Sequence, residues 1–360
     1  MTARRALRRL VWTARLGGAI TAVLAGGCAD PSTAPNTLQA DALAVRQVAE
    51  SISADEFARL VGIIADDSMR GRATPSPELE LTAAFIAESF RSVGLIAGGD
   101  AGSFIQRYPV TSPQGIVTAT PPNTIGILEG SDATLRHEYI LVSAHMDHVG
   151  VTGGGQNCAA SGADSICNGA NDNGSGTVGV MQLARAFAAL PRRPARTVIF
   201  ALFSGEERGL WGSAHFAKSP ARPLSQAVAV LNIDMIGRNA TDSLVVVGKS
   251  YSTLGEVTDR ITRAHPEVGM RLVDDPWNGT YFTRSDQYSF AKLGAPSIFF
   301  FNGTHADVHT ARDAVSLLNA DAAARAVRMI FYVAHDVASA RQRPSWDPVA
   351  RTRWVAPVGR

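Results

Sequence analysis

The feature that most constrains the fold is a series of short, almost purely apolar segments from residue 124 onward. Residues 198–203 are six consecutive apolar residues. This pattern is typical of a β-strand that is covered on both faces. Similar segments recur at 124–128, 139–143, 197–203, 227–233, 244–247 and 297–301. We therefore predict an α/β fold with a mostly parallel mixed sheet and helices on both faces.

Helical patterns lie between and before these segments. Apolar residues at three- and four-residue spacing, such as Phe57, Leu60, Val61 and Ile64, predict helices within 38–95. Further helices are predicted at 175–190, 210–217, 251–265, 285–293 and 321–340. We see no repeat and no Pro/Gly-rich linker after residue 37. We therefore predict one domain over 38–345, followed by a C-terminal tail over 346–360.

The first 27 residues have the composition of an export signal. They contain five of the 34 basic residues and no acid, and their apolar run over 16–24 is too short to span a bilayer. Residues 24–28, Leu-Ala-Gly-Gly-Cys, resemble a bacterial lipobox. This predicts a signal peptide over 1–27, lipidation of Cys28, a tether over 28–37 and a periplasmic or cell-envelope location. Plain secretion is the alternative.

The charge of the remaining chain excludes one class of partner. Without the leader, 29 basic residues stand against 32 acidic ones, a formal net charge of −3. Such a balance provides no general attraction to nucleic acid or to an anionic membrane surface. A lipid at Cys28 is therefore the one membrane contact that we expect.

Export also affects how the other two cysteines are interpreted. Cys158 and Cys167 lie nine residues apart in a loop rich in Gly, Ser and Asn. In an oxidising compartment this arrangement favours a disulfide. The alternative is a pair of thiolate metal ligands, which needs further N or S ligands nearby, and none is adjacent in the sequence.

Side chains able to bind metal follow several predicted strands at the point where each strand ends. They are His145, Asp147, Glu206, Glu207, Asp234, His305, Asp307 and His309, and the polar turn 171–176 adds Asp172. Because ligands bind at the carboxyl ends of strands in open α/β sheets, we expect these residues to converge. Histidines and carboxylates without thiolates are typical of a hydrolytic zinc centre, and there are enough for two ions. A single carboxylate at a strand end is explained more simply as a helix cap or as the partner of an arginine. That explanation is much less plausible when five such positions carry metal-binding side chains together.

Five motifs occur in the order and spacing of a known family. They are His145-Met-Asp147, Gly-Ala-Asn-Asp-Asn-Gly-Ser-Gly at 169–176, Ser-Gly-Glu-Glu-Arg-Gly-Leu-Trp-Gly at 204–212, Asn-Ile-Asp-Met-Ile-Gly at 232–237 and Asp-Val-His-Thr at 307–310. They resemble the two-zinc exopeptidases that include bacterial leucyl-type aminopeptidases, glutamate carboxypeptidase and glutaminyl cyclase. The resemblance covers about residues 55–340, and it implies a phosphorylase/hydrolase-like zinc exopeptidase architecture.

The resemblance implies a role for each site residue. Asp172 would bridge two zinc ions, of which one would also bind His145 and Asp234 and the other Glu207 and His309. Glu206 would act as general base, and Asp147 would orient the imidazole of His145. A cis peptide bond between Asp172 and Asn173 is implied as well.

Two positions depart from the family pattern. Gln287 stands where many relatives have a histidine, and Tyr281, a candidate oxyanion contact, lies four residues before Ser285 where some relatives have three. His148 and His305 share the strand-end loops, and they are interpreted either as contacts around the site or as solvated loop histidines.

The sequence therefore predicts an exported exopeptidase that removes residues from the N-terminus of peptides, using water activated by two zinc ions. One alternative is a glutaminyl cyclase-like acyltransferase, for which the resemblance implies one zinc ion. Another is a carboxypeptidase or amidohydrolase on the same fold. A non-catalytic, receptor-like protein is disfavoured because every ligand and Glu206 are retained.

Overall fold

The computed structural model describes residues 37–357. The predicted leader, Cys28 and nearly all of the predicted tether lie outside the described residues. The described chain from Asp41 to residue 357 forms one compact unit, and of the other unit, Met1–Ala40, only the beginning of the first helix is described. Among residues 37–357, no helix is both long enough and apolar enough to cross a membrane.

Helices and strands alternate along most of the described chain. The α-helices are α1 (Thr37–Glu50), α2 (Ala54–Ile64), α3 (Pro77–Ser92), α4 (Gly176–Ala189), α5 (Trp211–Lys218), α6 (Leu254–Ala264), α7 (Gln287–Ala291), α8 (Ala320–Ser339) and α9 (Pro348–Trp354). The strands are β1 (Ile96–Ala97), β2 (Ile105–Arg107), β3 (Val110–Thr111), β4 (Val117–Ala119), β5 (Pro122–Leu128), β6 (Tyr139–His145), β7 (Thr197–Phe203), β8 (Ala227–Ile233), β9 (Ser243–Val247), β10 (Arg271–Asp274) and β11 (Ser297–Phe301).

Nine of these strands form one mixed sheet in the order β1-β5-β7-β6-β8-β11-β9-β10, with β2 also paired to β5. The central strands β7, β6, β8 and β11 run parallel, whereas β5 and β9 pair antiparallel to their neighbours β7 and β11. Strands β3 and β4 form a separate two-stranded sheet. The parallel centre brings the carboxyl ends of four adjacent strands to the same edge.

The sheet is buried on both faces, as predicted from its apolar strands. In β6, Ile140, Val142 and Ala144 belong to a core that includes residues of α2, α3, α4 and α8. The alternate residues Tyr139 and Leu141 belong to a second core that includes residues of α5 and α7. Successive side chains of a strand point to opposite faces, so each strand contributes to both cores.

Most elements agree with the sequence expectations, and the shortest strands were missed. The predicted strands at 197–203, 227–233 and 297–301 have the observed bounds. The sequence analysis missed β1 to β4 and β10, which have only two to four residues and carry no continuous apolar run. The predicted C-terminal tail contains α9, whose Trp354 ring lies 4.9 Å from the ring of Phe282. That segment is therefore packed on the domain.

The predicted disulfide between Cys158 and Cys167 is present. It lies within a loop whose two arms pair between Val151 and Ile166. The same loop contacts the chain next to His309, because the Ala159 amide donates to the His309 carbonyl at 2.8 Å. The disulfide therefore joins two places near the candidate site. Cys158 is next to Ala159, which contacts His309, and Cys167 precedes the turn that contains Asp172.

We predict that replacing both cysteines with alanine lowers the free energy of unfolding by about 2–3 kcal/mol. The reason is that the unfolded chain regains the entropy lost on closing a short loop. Urea denaturation of the oxidised wild type and the double variant measures the difference, and reduced wild type serves as the control. Equal stability of all three forms, or free thiols at both positions in the untreated protein, would contradict the prediction.

Candidate metal centre

The candidate ligands lie where the central strands end. His145 is the last residue of β6, and Asp234 directly follows β8. Glu206 and Glu207 follow β7 by three and four residues, and Asp172 lies in the polar turn before α4. Because β6 pairs with both β7 and β8, these three strand ends are adjacent.

Asp172 faces two groups of ligand atoms at once. Its Oδ1 lies 3.4 Å from His145 Nε2, which lies 3.3 Å from Asp234 Oδ1. Its Oδ2 lies 3.2 Å from His309 Nε2, which lies 3.0 Å from Glu207 Oε2. The structure therefore brings together all five residues predicted as ligands, in the two groups that the resemblance implied.

The donor atoms fit zinc. Ligands about 2.0–2.1 Å from a tetrahedral ion lie about 3.3 Å from one another, close to the spacings of 3.0–3.4 Å found here. Asp234 Oδ1 is buried and has no hydrogen-bond partner within residues 37–357. Buried polar atoms without a partner are rare because they cost free energy, and a bound cation would satisfy this one.

The charges of the site also call for a cation. Burial opposes protonation of His309, but the carboxylates of Asp172 and Glu207 outweigh it and raise the pKa of His309 to about 10. For the carboxyl group of Asp234, burial raises the pKa, although His145 opposes this rise. Crowded carboxylates in a region with little water are stabilised by added positive charge, which divalent ions supply.

Adjacent Glu206 and Glu207 occupy different environments. Burial raises the pKa of Glu206 well above its ordinary value, and the carboxylates of Glu207 and Asp234 raise it further against the effect of His145. Burial and Asp172 also oppose ionisation of Glu207, but His148 and His309 lower its pKa. The raised pKa of Glu206 suits a group that accepts and returns a proton.

Asp147 is buried beside these residues and connects two loops. Its Oδ2 accepts hydrogen bonds of 2.8 Å from the Thr74 hydroxyl and from the Gly205 amide. Its Oδ1 accepts from the Glu206 amide at 3.3 Å. The distance from Asp147 Oδ1 to His145 Nδ1 is 3.7 Å, longer than a hydrogen bond. The carboxylate therefore contacts the loop of Glu206 more closely than it contacts the imidazole.

The turn that carries Asp172 is held on both sides. Asp313 accepts hydrogen bonds from the backbone amides of Asn171 and Asp172, at 3.0 and 2.9 Å. The side chain of Asn173 donates to the Ile233 carbonyl and accepts from the Met235 amide. The peptide bond between Asp172 and Asn173 is cis, as the resemblance implied.

A buried arginine joins the His145 and Asp172 loops. Arg72 is fully buried and donates to the carbonyls of Met146, Asn168 and Gly169 at 2.7–3.0 Å, and also to that of Ile64. Gly71 allows this approach, because a Cβ there would lie 2.3 Å from the Cys167 carbonyl oxygen. Burial lowers the pKa of Arg72 to about 10, so the guanidinium stays charged near neutral pH.

The sequence analysis missed several supporting residues. They are Arg72, Thr74, Ser285 and Asp313, and the partner of His148, which was named as a possible contact around the site, was missed as well. The partners of these residues at the site lie 51–142 residues away in sequence. Ser285, for example, donates to Asp234 Oδ2 at 2.9 Å. For His148 the one available signal was its place in the loop of His145 and Asp147. For the others no local pattern indicated a role.

The structure shows the contacts of Gln287 and Tyr281, the two residues at which the sequence departs from the family pattern. Gln287 is buried, accepts from the Asn232 side chain at 3.2 Å and donates to the Phe282 carbonyl at 2.8 Å. Tyr281 packs against the rings of Trp277 and Phe301, each 5.0 Å away. Its role as an oxyanion contact stays a prediction.

The comparison with known families agrees with this geometry. Residues 123–334 match the model of peptidase family M28, and this segment contains all five candidate ligands and Glu206. The chain belongs to peptidase family M28.

Two curated proteins that are similar to this family M28 chain are named as peptidases. A probable zinc metalloprotease of Pyricularia oryzae is 32% identical over 187 residues, which cover 50% of this chain and 34% of the relative. Leucine aminopeptidase 1 of Pyrenophora tritici-repentis is 28% identical over 258 residues, which cover 67% of this chain and 61% of the relative. The chain thus spans less than two thirds of either protein.

A solved structure shares the fold of this family M28 chain. The glutaminyl cyclase of Porphyromonas gingivalis has a TM-score of 0.62 and 19% identity, over 78% of this chain and 97% of that one. The predicted fold class, a mostly parallel sheet in a zinc exopeptidase architecture, is confirmed.

We predict that Arg72→Met lowers the free energy of unfolding of the metal-free protein by at least about 3 kcal/mol. Four carbonyl oxygens would each lose one hydrogen-bond donor in a region that excludes water. Urea denaturation in the presence of a chelator measures the change. Arg46→Met, which removes an exposed ion pair with Glu50, is the control and should change stability far less than Arg72→Met does. Equal effects of the two substitutions would contradict the role of Arg72.

Proposed function

We propose that this chain is a two-zinc exopeptidase that removes residues from the N-terminus of peptides. The observation that carries the proposal is the position of Asp172. Its two carboxylate oxygens face separate groups, each with one histidine and one further carboxylate. Such an arrangement is suited to two ions that share one bridging carboxylate.

In this proposal, His145 and Asp234 would hold one ion, Glu207 and His309 would hold the other, and Asp172 would be shared by both. When bound, the two ions supply positive charge that polarises a peptide carbonyl and makes water a stronger acid. Glu206 takes a proton from the attacking water and delivers it to the departing amine. Its pKa, which burial raises above the ordinary value, supports this role, because a carboxylate that binds a proton more readily is a stronger base toward water.

The surroundings of the site favour an apolar residue at the cleaved end. Met235 directly follows Asp234, and Val308 directly precedes His309. Both belong to an apolar group that includes the half-buried side chains of Trp277 and Tyr281. Apolar and aromatic side chains beside a few polar groups are typical of small-ligand sites. We therefore propose that these side chains contact the N-terminal residue of the substrate.

A carboxypeptidase would need a cation to bind the C-terminal carboxylate of its substrate. Arg238 and Arg312 lie near the ligand segments, but both bind Asp307, at 2.9 and 2.8 Å. Each of these two arginines therefore already has a carboxylate partner. Arg208, which directly follows Glu207, has none among the described residues, so the carboxypeptidase stays an alternative.

The glutaminyl cyclase is the second candidate, because a glutaminyl cyclase shares this fold. The presence of two complete ligand groups favours the hydrolase, since the resemblance implies one ion for the cyclase. We also propose that the protein acts outside the cytoplasm, supported by its disulfide and by the leader-like first 27 residues.

We predict release of apolar residues such as leucine from aminoacyl anilides, with no cleavage of N-blocked peptides. The blocked amine cannot occupy the position of a free N-terminus. A parallel assay with N-terminal glutaminyl peptides tests the cyclase. Cyclisation without release of amino acids, or cleavage of blocked peptides alone, would contradict the aminopeptidase.

We further predict unequal effects at the two adjacent glutamates. The wild type and Glu206→Gln should retain about two zinc ions after dialysis, whereas Glu207→Gln should retain about one. Glu206→Gln should still reduce turnover by about 10²–10⁴-fold, the usual contribution of a general acid–base group. Elemental analysis and turnover measure both effects. Near-normal turnover of Glu206→Gln would contradict its role as the base, and one ion in the wild type would contradict the bridging role of Asp172.

A further inference from the structure

One histidine beside the candidate ligands has no role in the proposed function. His148 is fully buried, and its Nδ1 lies 3.0 Å from Glu207 Oε1. The other oxygen of Glu207, Oε2, lies 3.0 Å from His309 Nε2. The two oxygens of this carboxylate therefore have separate partners, and only one of them faces a second predicted ligand.

The position of the His148 ring is determined by its surroundings. A Cβ at Gly169 would lie 2.4 Å from His148 Cγ, so glycine at 169 makes room for the ring. The His148 amide donates to the Arg72 carbonyl at 3.3 Å, and Arg72 donates to the carbonyl of Gly169. The ring also meets that of His309 edge-on, with centroids 5.4 Å apart. Both backbone segments that enclose the ring are thus held by Arg72.

The hydrogen bonding of the ring favours one tautomer. His148 Nε2 is buried and has no hydrogen-bond partner in the described part of the chain. With the proton on Nδ1, the ring donates to Glu207 Oε1 and leaves only an acceptor unpartnered at Nε2. With the proton on Nε2, a buried N–H would lack a partner, and such orphaned donors are rare in folded proteins. Two lone pairs would then also face each other between Nδ1 and Oε1.

We propose that His148 is a positioning residue for Glu207. Its Nδ1–H binds Oε1 and directs Oε2 toward the ion held with His309, an inference that rests on the proposed two-zinc function. Hydrogen bonds from outer residues commonly orient metal-binding carboxylates, and losing one typically weakens metal binding by about 10–100-fold. A direct bond from His148 to the metal is the alternative, since His148 Nδ1 lies 3.0 Å from Glu207 Oε1 and 3.8 Å from Asp172 Oδ2, and His148 could surround an ion together with Asp172, Glu207 and His309.

Two conservative substitutions distinguish a hydrogen-bond donor from a ligand. In His148→Asn the amide nitrogen takes the place of Nδ1, and in His148→Gln it takes the place of Nε2. We expect the metal-free wild type to bind two zinc ions in a chelator competition titration. His148→Asn should retain both affinities, whereas His148→Gln should weaken one site by about 10–100-fold and leave the other unchanged. Circular dichroism of the metal-free variants checks their folding, and His335→Asn, far from the ligands on α8, is the matched control.

Equal affinities of wild type and His148→Gln at both sites would overturn the proposal. It would also be overturned if His148→Asn lost the site as fully as His148→Gln and its cobalt-substituted form had an altered visible spectrum, since His148 would then be a ligand. A wild type that binds fewer than two ions would contradict the proposed function instead. Nitrogen NMR of the zinc-loaded wild type gives a test that needs no variant. A proton on Nδ1 of His148 supports the proposal, and a proton on Nε2 overturns it.

Discussion

The candidate site depends on one carboxylate that presents its two oxygens in different directions. Asp172 can do this only if its backbone has a defined position, and several distant parts of the chain provide it. Asp313 accepts hydrogen bonds from the amides of Asn171 and Asp172, and the side chain of Asn173 binds the segment of Asp234. Arg72 connects the chain before Asp172 to the His145 loop. None of these contacts binds a metal. They hold the ligands in position before any ion arrives, so little reorganisation is required on binding.

Crowding of like charge is the cost of this arrangement. Buried carboxylates repel one another. Burial opposes the ionisation of Asp172, but His145 and His309 outweigh it and hold the pKa of Asp172 well below its ordinary value, whereas burial raises the pKa of Asp234 in spite of His145. Glu206 and Glu207 are adjacent in sequence, but their different neighbours shift their pKa values in opposite directions. Burial opposes the ionisation of both groups. His148 and His309 nevertheless lower the pKa of Glu207, whereas the carboxylates of Glu207 and Asp234 raise the pKa of Glu206 further, against the effect of His145. Two identical, adjacent side chains thereby become suited to different tasks.

The stability that supports such a site comes from elsewhere in the fold. The parallel strands are buried on both faces, and their apolar side chains form two cores that do not include the polar edge. Polar groups at the strand ends can therefore be arranged for chemistry while the sheet supplies the hydrophobic stabilisation. The shared fold with a glutaminyl cyclase is consistent with this division, because loops at the edge can change without altering the sheet.

The sequence by itself determined the long elements and the identity of the candidate ligands. Strands such as β7 were predictable because six consecutive apolar residues allow no exposed face, and the ligands were predictable because their motifs occur in a recognisable order. The short strand β10 was not predictable, since it is mostly stabilised by pairing with β9 rather than by its own pattern. Helix α9 was missed because its packing depends on the distant Phe282 ring. Only the tertiary structure decided that His148 meets Glu207, 59 residues away, and that Gln287 binds Asn232, 55 residues away. Local periodicity reports which side of an element is buried, but the partner of a buried polar group is chosen by the packing of distant segments.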